Sequence, residues 1–295
     1  MKIGIIDLDR SHFPNIPLMK LSAWHKNNGD EVEWYDPMFS DEMDIVYVAK
    51  VFDWTKDYEY PIKAKKVIKG GIGYGIENDN PLPKEIEQIY PDYQLYQSDK
   101  AYGFLTRGCP RKCSFCNVSE HQGIVSRKVA DLSDFWKGQK EIVLLDPNIL
   151  ACRDWKDLLQ QLIDSKALVD FSQGLDIRMM TEEKVEMINQ IKIKMIHFAW
   201  DMVDENVYRK LALYRDKFIF DERRLRVFVL VNFNTTIEQD LDRIYRLREL
   251  KYDPYVMIFD KKKARREIKQ LQRWVNNKFI WRTCETFEDY KKGMK

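Results

Sequence analysis

Six apolar segments of strand length recur between residues 101 and 260, and each is followed by a polar or glycine-containing stretch and then a helical segment. This alternation is typical of parallel βαβ units, which build α/β folds. Six such units predict a partial barrel instead of a closed barrel of eight strands. The predicted strands are 101–106, 141–145, 168–172, 194–200, 225–231 and 255–259.

The pattern on either side of this region predicts two further parts of the chain. Residues 1–95 are expected to form a small Rossmann-like α/β domain, residues 96–260 the partial barrel, and residues 261–295 a short helical C-terminal extension. Pro61 fits the first position of a helix. The N-terminal pattern predicts strands at 2–8, 32–36 and 44–51, helices at 15–28 and 61–69, and a linker at 77–98.

No run of about 18 apolar residues occurs, so we expect neither a membrane-spanning segment nor a membrane partner. The sequence leads from Met1 straight into a strand-like segment and shows no signal-peptide pattern. We therefore expect the protein in the cytoplasm.

The net charge of +2 is unevenly distributed, because residues 261–295 hold 12 basic against 4 acidic side chains. A helix is predicted at 261–277, with an apolar side that should pack on the barrel. Its basic side is explained by solvation, or by attraction of an anionic substrate such as a nucleotide or RNA. The apolar side consists of Ile268, Leu271, Trp274 and Val275, and the basic side of Lys262, Lys263, Arg266, Lys269 and Arg273.

Three cysteines, Cys109, Cys113 and Cys116, lie within eight positions directly after the first predicted barrel strand. Thiols this close are poor choices for disulfides, whereas soft thiolates select zinc, copper(I) or iron-sulfur clusters. Structural zinc usually takes four protein ligands, and His121 is a candidate for the fourth. A ferredoxin-type cluster also needs four cysteines. Three cysteines would leave one iron of a 4Fe-4S cluster open.

The run Cys109-Pro-Arg-Lys-Cys113-Ser-Phe115-Cys116 resembles the C-x-x-x-C-x-aromatic-C signature of radical S-adenosylmethionine (radical SAM) enzymes. The resemblance implies a 4Fe-4S cluster whose open iron chelates the amino and carboxylate groups of S-adenosylmethionine. Its reductive cleavage would give methionine and a 5'-deoxyadenosyl radical, which takes a hydrogen atom from a substrate. An electron donor such as flavodoxin or ferredoxin is then the expected partner.

The likeness extends over residues 102–260 and is closest to the branch with methylthiotransferases and cobalamin-type members. It implies that Arg178 binds the methionine carboxylate and that Phe115 lies against the adenine. Polar residues after the strands also serve as turn and cap residues, which is the alternative explanation for each one. The remaining positions that match cofactor-binding motifs of the branch are Asp146, Asn148, Gln173, Asp176, Asp201 and Asn232.

Several departures from that branch narrow the expected activity. Residues 1–108 contain no cysteine, which disfavours a methylthiotransferase with further clusters. The stretch Asp9-Arg-Ser-His12 lacks the spacing of the cobalamin Asp-x-His-x-x-Gly motif, so cobalamin is not expected, although binding without that histidine stays open. We expect one cluster and no role in it for Cys152 or Cys284. The alternative is a non-catalytic iron-sulfur or zinc protein, on a degenerate radical SAM barrel, that senses redox state or has a binding role.

Overall fold

A computed structural model of the chain describes residues 1–11, 13–75 and 81–293. The chain forms two compact units, each described here by itself. The first unit contains residues 1–103 and 130–140, and the second contains residues 104–129 and 141–295. His12 and residues 77–80 of the predicted linker lie outside the described residues.

The first unit is built on a parallel sheet of four strands in the order β2-β1-β3-β4. Side chains of β1 alternate between the two faces of this sheet. Ile5 packs with Leu18 and Leu21 on the helical side, whereas Ile6 packs with Met43 on the other side. The elements of the unit are β1 (Lys2–Asp7), α1 (Ile16–Asn27), β2 (Glu31–Trp34), β3 (Met43–Ala49), β4 (Ala64–Gly70), α2 (Lys84–Glu87) and β5 (Ala101–Gly103).

Helix α1 confirms the helix predicted at 15–28. The side chain of Asn15 caps it by accepting a hydrogen bond from Leu18 N, and Pro17 occupies its first turn. These are positions at which asparagine and proline favour the start of a helix.

The helix predicted at 61–69 is wrong, because this segment forms strand β4. It pairs in parallel with β3, from Ala64 opposite Met43 to Gly70 opposite Ala49. β4 is an edge strand, and Lys65 and Lys66 are exposed on it. An edge strand needs little apolar alternation, and charged side chains there discourage pairing with other chains. The sequence of β4 therefore lacks the apolar alternation from which a strand could be predicted.

The second unit contains a parallel sheet in the order β12-β11-β10-β9-β8, with helices between successive strands. The described strands of this unit do not close into a barrel. Their elements are β6 (Thr106–Arg107), α3 (Val118–Gln122), β7 (Arg127–Lys128), β8 (Glu141–Leu144), α4 (Trp155–Ser165), β9 (Leu168–Leu175), α5 (Glu182–Gln190), β10 (Ile193–Ala199), α6 (Glu205–Arg215), β11 (Leu225–Val231), α7 (Ile237–Glu249), β12 (Asp253–Ile258), α8 (Arg266–Asn276), α9 (Lys278–Thr283) and α10 (Phe287–Lys292).

The architecture confirms an α/β fold with parallel sheets. Five of the six predicted barrel strands correspond to β8 to β12, and the predicted strand 101–106 is divided into β5 and β6. The complete partial barrel of six units and the domain limits at 95 and 260 stay predictions.

The core of the second unit lies against the central strands, where Val227, Val229 and Val231 of β11 are fully buried. Helix α8 buries the apolar side predicted from the sequence, which consists of Ile268, Leu271, Trp274 and Val275. Among the described residues, no helix is both long and apolar enough to span a membrane.

Candidate functional site at the cysteine loop

The three cysteines lie in a loop whose two ends are joined by a short antiparallel pairing. Thr106 and Arg107 of β6 pair with Lys128 and Arg127 of β7. Within this cysteine loop, defined as residues 108–126, Cys109 N donates to the Gly123 carbonyl at 3.0 Å. The pairing of β6 with β7 thus brings together the two ends of a loop of 19 residues.

Gly108 has a φ of +89°, and a Cβ atom there would lie 2.3 Å from the carbonyl oxygen of Val125. Only glycine adopts that backbone conformation without strain, and only glycine leaves room for the neighbouring carbonyl. The residue before the first cysteine is therefore fixed by the close approach of the two ends of the loop.

The turn after β8 holds both ends of the cysteine loop. Asp146 is buried, and its Oδ1 accepts hydrogen bonds from Thr106 N at 2.5 Å and Thr106 Oγ1 at 2.6 Å. Its Oδ2 accepts from Leu105 N at 3.2 Å. At the other end, Ser126 Oγ donates to the carbonyl of Asn148 at 2.8 Å. One turn thus positions the chain before and after the cysteines.

Burial raises the pKa of Asp146 to about 6, because a carboxylate loses hydration in the protein interior. The hydrogen bonds from Thr106 and Leu105 favour the charged form and oppose this rise. Asp146 is therefore ionised at neutral pH with its oxygens already in use.

Asn148 connects the same turn to a thiol. Its Nδ2 donates to Cys109 Sγ at 3.6 Å, while its buried Oδ1 has no hydrogen-bond partner among the described residues. A buried acceptor without a partner is costly, so such an atom often marks a place where a ligand or water binds.

Asp176, in the turn after β9, binds two arginines. Its carboxylate accepts from Nε of Arg111 in the cysteine loop and from Nε of Arg178 at 2.8 Å. A terminal nitrogen of Arg178 also lies 3.6 Å from Asp204. The carboxylate therefore ties the cysteine loop to the end of β9 and orients the Arg178 guanidinium.

The thiols of Cys109 and Cys116 each lie close enough to Cys113 to affect its ionisation. Burial is the main cause that raises the pKa of Cys113, and the other two thiols and Asp201 raise it further. Arg178 opposes this shift by favouring the thiolate. Among the described residues, however, no three Cys, His, Asp or Glu side chains are arranged to hold a metal ion.

Asp201, after β10, is a second buried acceptor near the loop. Burial raises its pKa to about 6, and Arg243 and Arg178 oppose the rise. Its Oδ1 has no hydrogen-bond partner among the residues that the structure describes.

The other candidate residues lie apart from the thiols or have packing roles. Phe115 packs edge-on against Phe233, with ring centroids 5.5 Å apart. Asn232 has a φ of +64° and donates from Nδ2 to the Phe259 carbonyl at 2.9 Å. Gln173 is exposed in β9, and its side chain forms no hydrogen bond with any residue that the structure describes. The structure therefore joins Phe115 to the residues after β11 and leaves Gln173 apart.

Sequence reasoning missed three charged residues near this edge of the sheet. Arg111 lies in the loop without any pattern that singles it out. Lys184 and Arg243 are buried on inward helix faces, four residues before Ile188 and Leu247 respectively. That spacing was a usable signal, since a charged residue on an apolar face must find internal partners.

Lys184 and Arg243 find these partners in backbone carbonyls. Lys184 Nζ donates to the Leu150 and Met179 carbonyls, each at 2.9 Å. Arg243 donates to the carbonyls of Trp200 and Leu230. Both side chains therefore fix loops at the carboxyl edge of the sheet.

These observations define an α/β protein with a three-thiol loop at the carboxyl edge of a parallel sheet. No family model matches the chain. The chain is similar to a tRNA-2-methylthio-N(6)-dimethylallyladenosine synthase of Protochlamydia amoebophila (strain UWE25), with 27% identity over 200 residues. The match covers 57% of this chain and 44% of the relative, so the chain spans less than half of that protein. The relative is a methylthiotransferase of the radical SAM family. This distant similarity supports the radical SAM superfamily, and with it an enzyme.

Proposed function

We propose that the chain is a radical SAM enzyme that binds one 4Fe-4S cluster through Cys109, Cys113 and Cys116. The observation that carries the proposal is a loop of three cysteines at the carboxyl edge of a parallel sheet, in which the Cys113 thiol lies close to the other two. In parallel α/β folds this is the edge at which ligands bind.

The donor chemistry of these residues fits the cluster. Thiolates are the usual ligands of iron-sulfur clusters, and three of them leave one iron for another molecule. The Asn148 amide supplies an N–H···S contact at Cys109. Such hydrogen bonds to ligand sulfurs change the reduction potential of a cluster. The three cysteines fit the cluster by the chemistry of their thiols and by their closeness in the loop. Among the described residues, the thiols are not arranged around one common metal position.

When bound, such a cluster supplies the electron that cleaves S-adenosylmethionine to methionine and a 5'-deoxyadenosyl radical. The protein residues bind and orient the cofactor. Arg178 is the proposed partner of the methionine carboxylate, because Asp176 occupies its Nε while its terminal nitrogens make only a longer contact, at 3.6 Å, with Asp204.

The geometry suggests a division of roles between two residues that the sequence grouped together. Asp146 uses both carboxylate oxygens to hold Leu105 and Thr106, so we assign it to positioning the cysteine loop. Asn148 Oδ1 is buried without a partner beside Cys109, so we propose it as an acceptor for the methionine amino group. Asp201 Oδ1 is the second such acceptor, and its place near Arg178 suits a cofactor hydroxyl or amine.

The assignment is tested by assaying the anaerobically reconstituted protein for 5'-deoxyadenosine after adding S-adenosylmethionine and dithionite. We expect release by the wild type and by Cys284→Ser, whose cysteine lies outside the loop, but not by Cys113→Ser. If the wild type incorporates iron and sulfide but releases no 5'-deoxyadenosine, the proposed enzymatic activity is contradicted and a non-catalytic iron-sulfur protein is favoured.

The methionine contact has its own test. Arg178→Ala should weaken S-adenosylmethionine binding to the reconstituted protein by about 2 kcal/mol, the loss expected for a charged hydrogen bond. Arg209→Ala, on the exposed face of α6, should leave the affinity unchanged. Equal affinities of wild type and Arg178→Ala in isothermal titration calorimetry would remove Arg178 from the site.

The partners follow from the same proposal. A one-electron donor such as flavodoxin or ferredoxin would reduce the cluster. A nucleotide or RNA is the proposed substrate class, because the relative's name specifies a tRNA product and because α8 and the residues before it expose five basic side chains. Those side chains are Lys262, Lys263, Arg266, Lys269 and Arg273. RNA binding that does not weaken with rising salt would contradict this substrate class.

A further inference from the structure

A cavity of about 670 Å³ opens in the second unit at the amino ends of β11 and β12. Its walls come from the turn before β11, the end of α7, the start of β12 and the region of α9. In a parallel sheet this edge is opposite to the edge at which the cysteine loop lies. A strand of seven residues such as β11 separates the two edges by about 20 Å. The cavity is therefore separate from the candidate cofactor site.

Positive charge predominates in this cavity. Arg226 and Lys278 share one carboxylate, since their terminal nitrogens lie 2.8 and 2.5 Å from oxygens of Asp253. One negative charge therefore compensates two positive charges. The cavity is lined by five cationic side chains, Arg223, Arg226, Arg248, Lys278 and Arg282, and by three carboxylates, Glu222, Asp253 and Glu285.

Arg248 forms a rigid part of the cavity wall. Its guanidinium donates to the carbonyls of Trp281 and Glu285 and lies 3.4 Å from the centre of the Trp281 ring. These carbonyls are neutral and orient the guanidinium, whereas the nearby Glu285 carboxylate compensates part of its charge. Arg248 therefore adds a fixed positive charge to the cavity.

The pKa of Lys278 shows the effect of these neighbours. Burial lowers it, Asp253 opposes the change, and the guanidinium groups of Arg226 and Arg282 lower it further. Positive charges in the wall therefore repel one another, which an anion in the cavity would relieve.

Two arginines of the lining are available to a ligand. Arg282 is exposed, and its side chain forms no hydrogen bond or ion pair with any residue that the structure describes. Arg223 is 73% exposed, and its nearest carboxylate oxygen, on Asp221, is 3.8 Å away. Both side chains can turn toward an anion without breaking a strong internal contact.

We propose that this cavity binds a phosphate ester of nucleotide size. Guanidinium groups bind phosphate oxygens through paired hydrogen bonds, and the exposed Arg223 and Arg282 form no close internal hydrogen bond through their guanidinium groups here. The volume lies within the range of small-molecule sites, about 300–1,000 Å³. Trp281 and Tyr245 line the same cavity and offer aromatic surface to the organic part of such a ligand. This binding goes beyond the proposed reaction and takes place at the other edge of the sheet.

The probes are adenosine monophosphate, pyrophosphate and a short single-stranded RNA, titrated into the full chain by isothermal calorimetry. We expect the nucleotide to bind at one site per chain and more tightly than pyrophosphate. The double variant Arg223→Ala/Arg282→Ala should weaken nucleotide binding about tenfold or more, as expected when charged hydrogen bonds are lost. Both side chains are exposed, so the variant should keep the wild-type melting temperature.

The matched control is Lys192→Ala/Arg209→Ala, which removes two exposed positive charges outside the cavity. It should leave nucleotide binding unchanged. The proposal fails if neither phosphate probe binds saturably at millimolar concentration, or if the control weakens binding as much as the arginine variant. Tighter binding of RNA than of the nucleotide through the same two arginines would also overturn it. Because binding is measured without reductant, its failure leaves the cofactor proposal untouched.

Discussion

Arg111 of the cysteine loop is bound by Asp176 from the turn after β9. Asp176 is 8% exposed at its side chain and also binds Arg178, so one carboxylate compensates two guanidinium groups. We predict that Asp176→Asn lowers the free energy of unfolding by about 2 kcal/mol, since it leaves two partly buried cations facing each other. Urea unfolding measures this loss, and Asp164→Asn on the exposed face of α4 serves as the control. Equal stabilities of the two variants would show that Asp176 does not hold the loop.

Gly108 in the cysteine loop should tolerate a side chain less well than Gly138, which lies outside the loop. Gly108→Ala places a Cβ against the Val125 carbonyl, whereas Gly138→Ala, at a similar φ of +97°, meets nothing within 4 Å. Both variants have an unfavourable backbone conformation, which costs about 1–2 kcal/mol. Gly108→Ala should lose about 1–3 kcal/mol more through the clash. Thermal unfolding of the two variants side by side tests the difference, and similar losses would contradict the close contact.

The raised pKa of Asp146 predicts a dependence of stability on pH. Its value of about 6 exceeds the ordinary 3.8, so the folded protein binds the proton more tightly than the unfolded chain. The stability from this group is present below about pH 4 and is lost as the pH rises through 6. Relative to Asp146→Asn, which does not titrate, the wild type should lose about 2 kcal/mol between pH 4 and pH 7. Urea unfolding across this range would contradict the prediction if the difference between the two proteins stayed constant.

Arg243 should be essential for stability. It is 1% exposed and donates to two carbonyls and to Asp240. Arg243→Met leaves these acceptors and one buried carboxylate without a partner, at a cost of about 3–5 kcal/mol. Arg273→Met, on the exposed face of α8, should have little effect on urea unfolding. A comparable loss in both variants would indicate that the contacts of Arg243 do not contribute to the free energy of unfolding.

Asn148 should tune the cluster if the proposed function holds. Asn148→Ala removes the donor 3.6 Å from Cys109 Sγ. Loss of a hydrogen bond to a ligand sulfur should lower the midpoint potential by about 40 mV, which corresponds to about 1 kcal/mol for one electron. A redox titration against Gln160→Ala, an exposed residue of α4, measures the shift. An unchanged potential would mean that this amide does not contact the bound cluster.

The sequence predicted those parts of the fold in which apolar residues face a core. Strands β8 to β12 and the buried side of α8 were recognisable because burial selects apolar residues at regular spacing. Strand β4 was not recognisable, since it is defined by pairing with β3 along an edge that needs few apolar side chains.

The three candidate cysteines could be recognised in the sequence, whereas the residues that hold the cysteine loop in place could not. The spacing of Cys109, Cys113 and Cys116 is local, so it is visible in the sequence. The contacts of Asp146 with Thr106 and of Asp176 with Arg111 join residues 40 and 65 positions apart, and no local pattern announces them. For this reason the cofactor-binding role that the sequence suggested for Asp146 stays a prediction, while its contacts with Leu105 and Thr106 suggest that it supports the loop.

The most direct test of the central claim is the metal content of anaerobically reconstituted protein, combined with its Mössbauer spectrum. We predict about four irons and four sulfides per chain, as in a 4Fe-4S cluster. Replacing Cys109, Cys113 and Cys116 together by serine should abolish them, while Cys284→Ser should retain them. One zinc per chain, or full iron content in the triple variant, would contradict a cluster bound by these three cysteines.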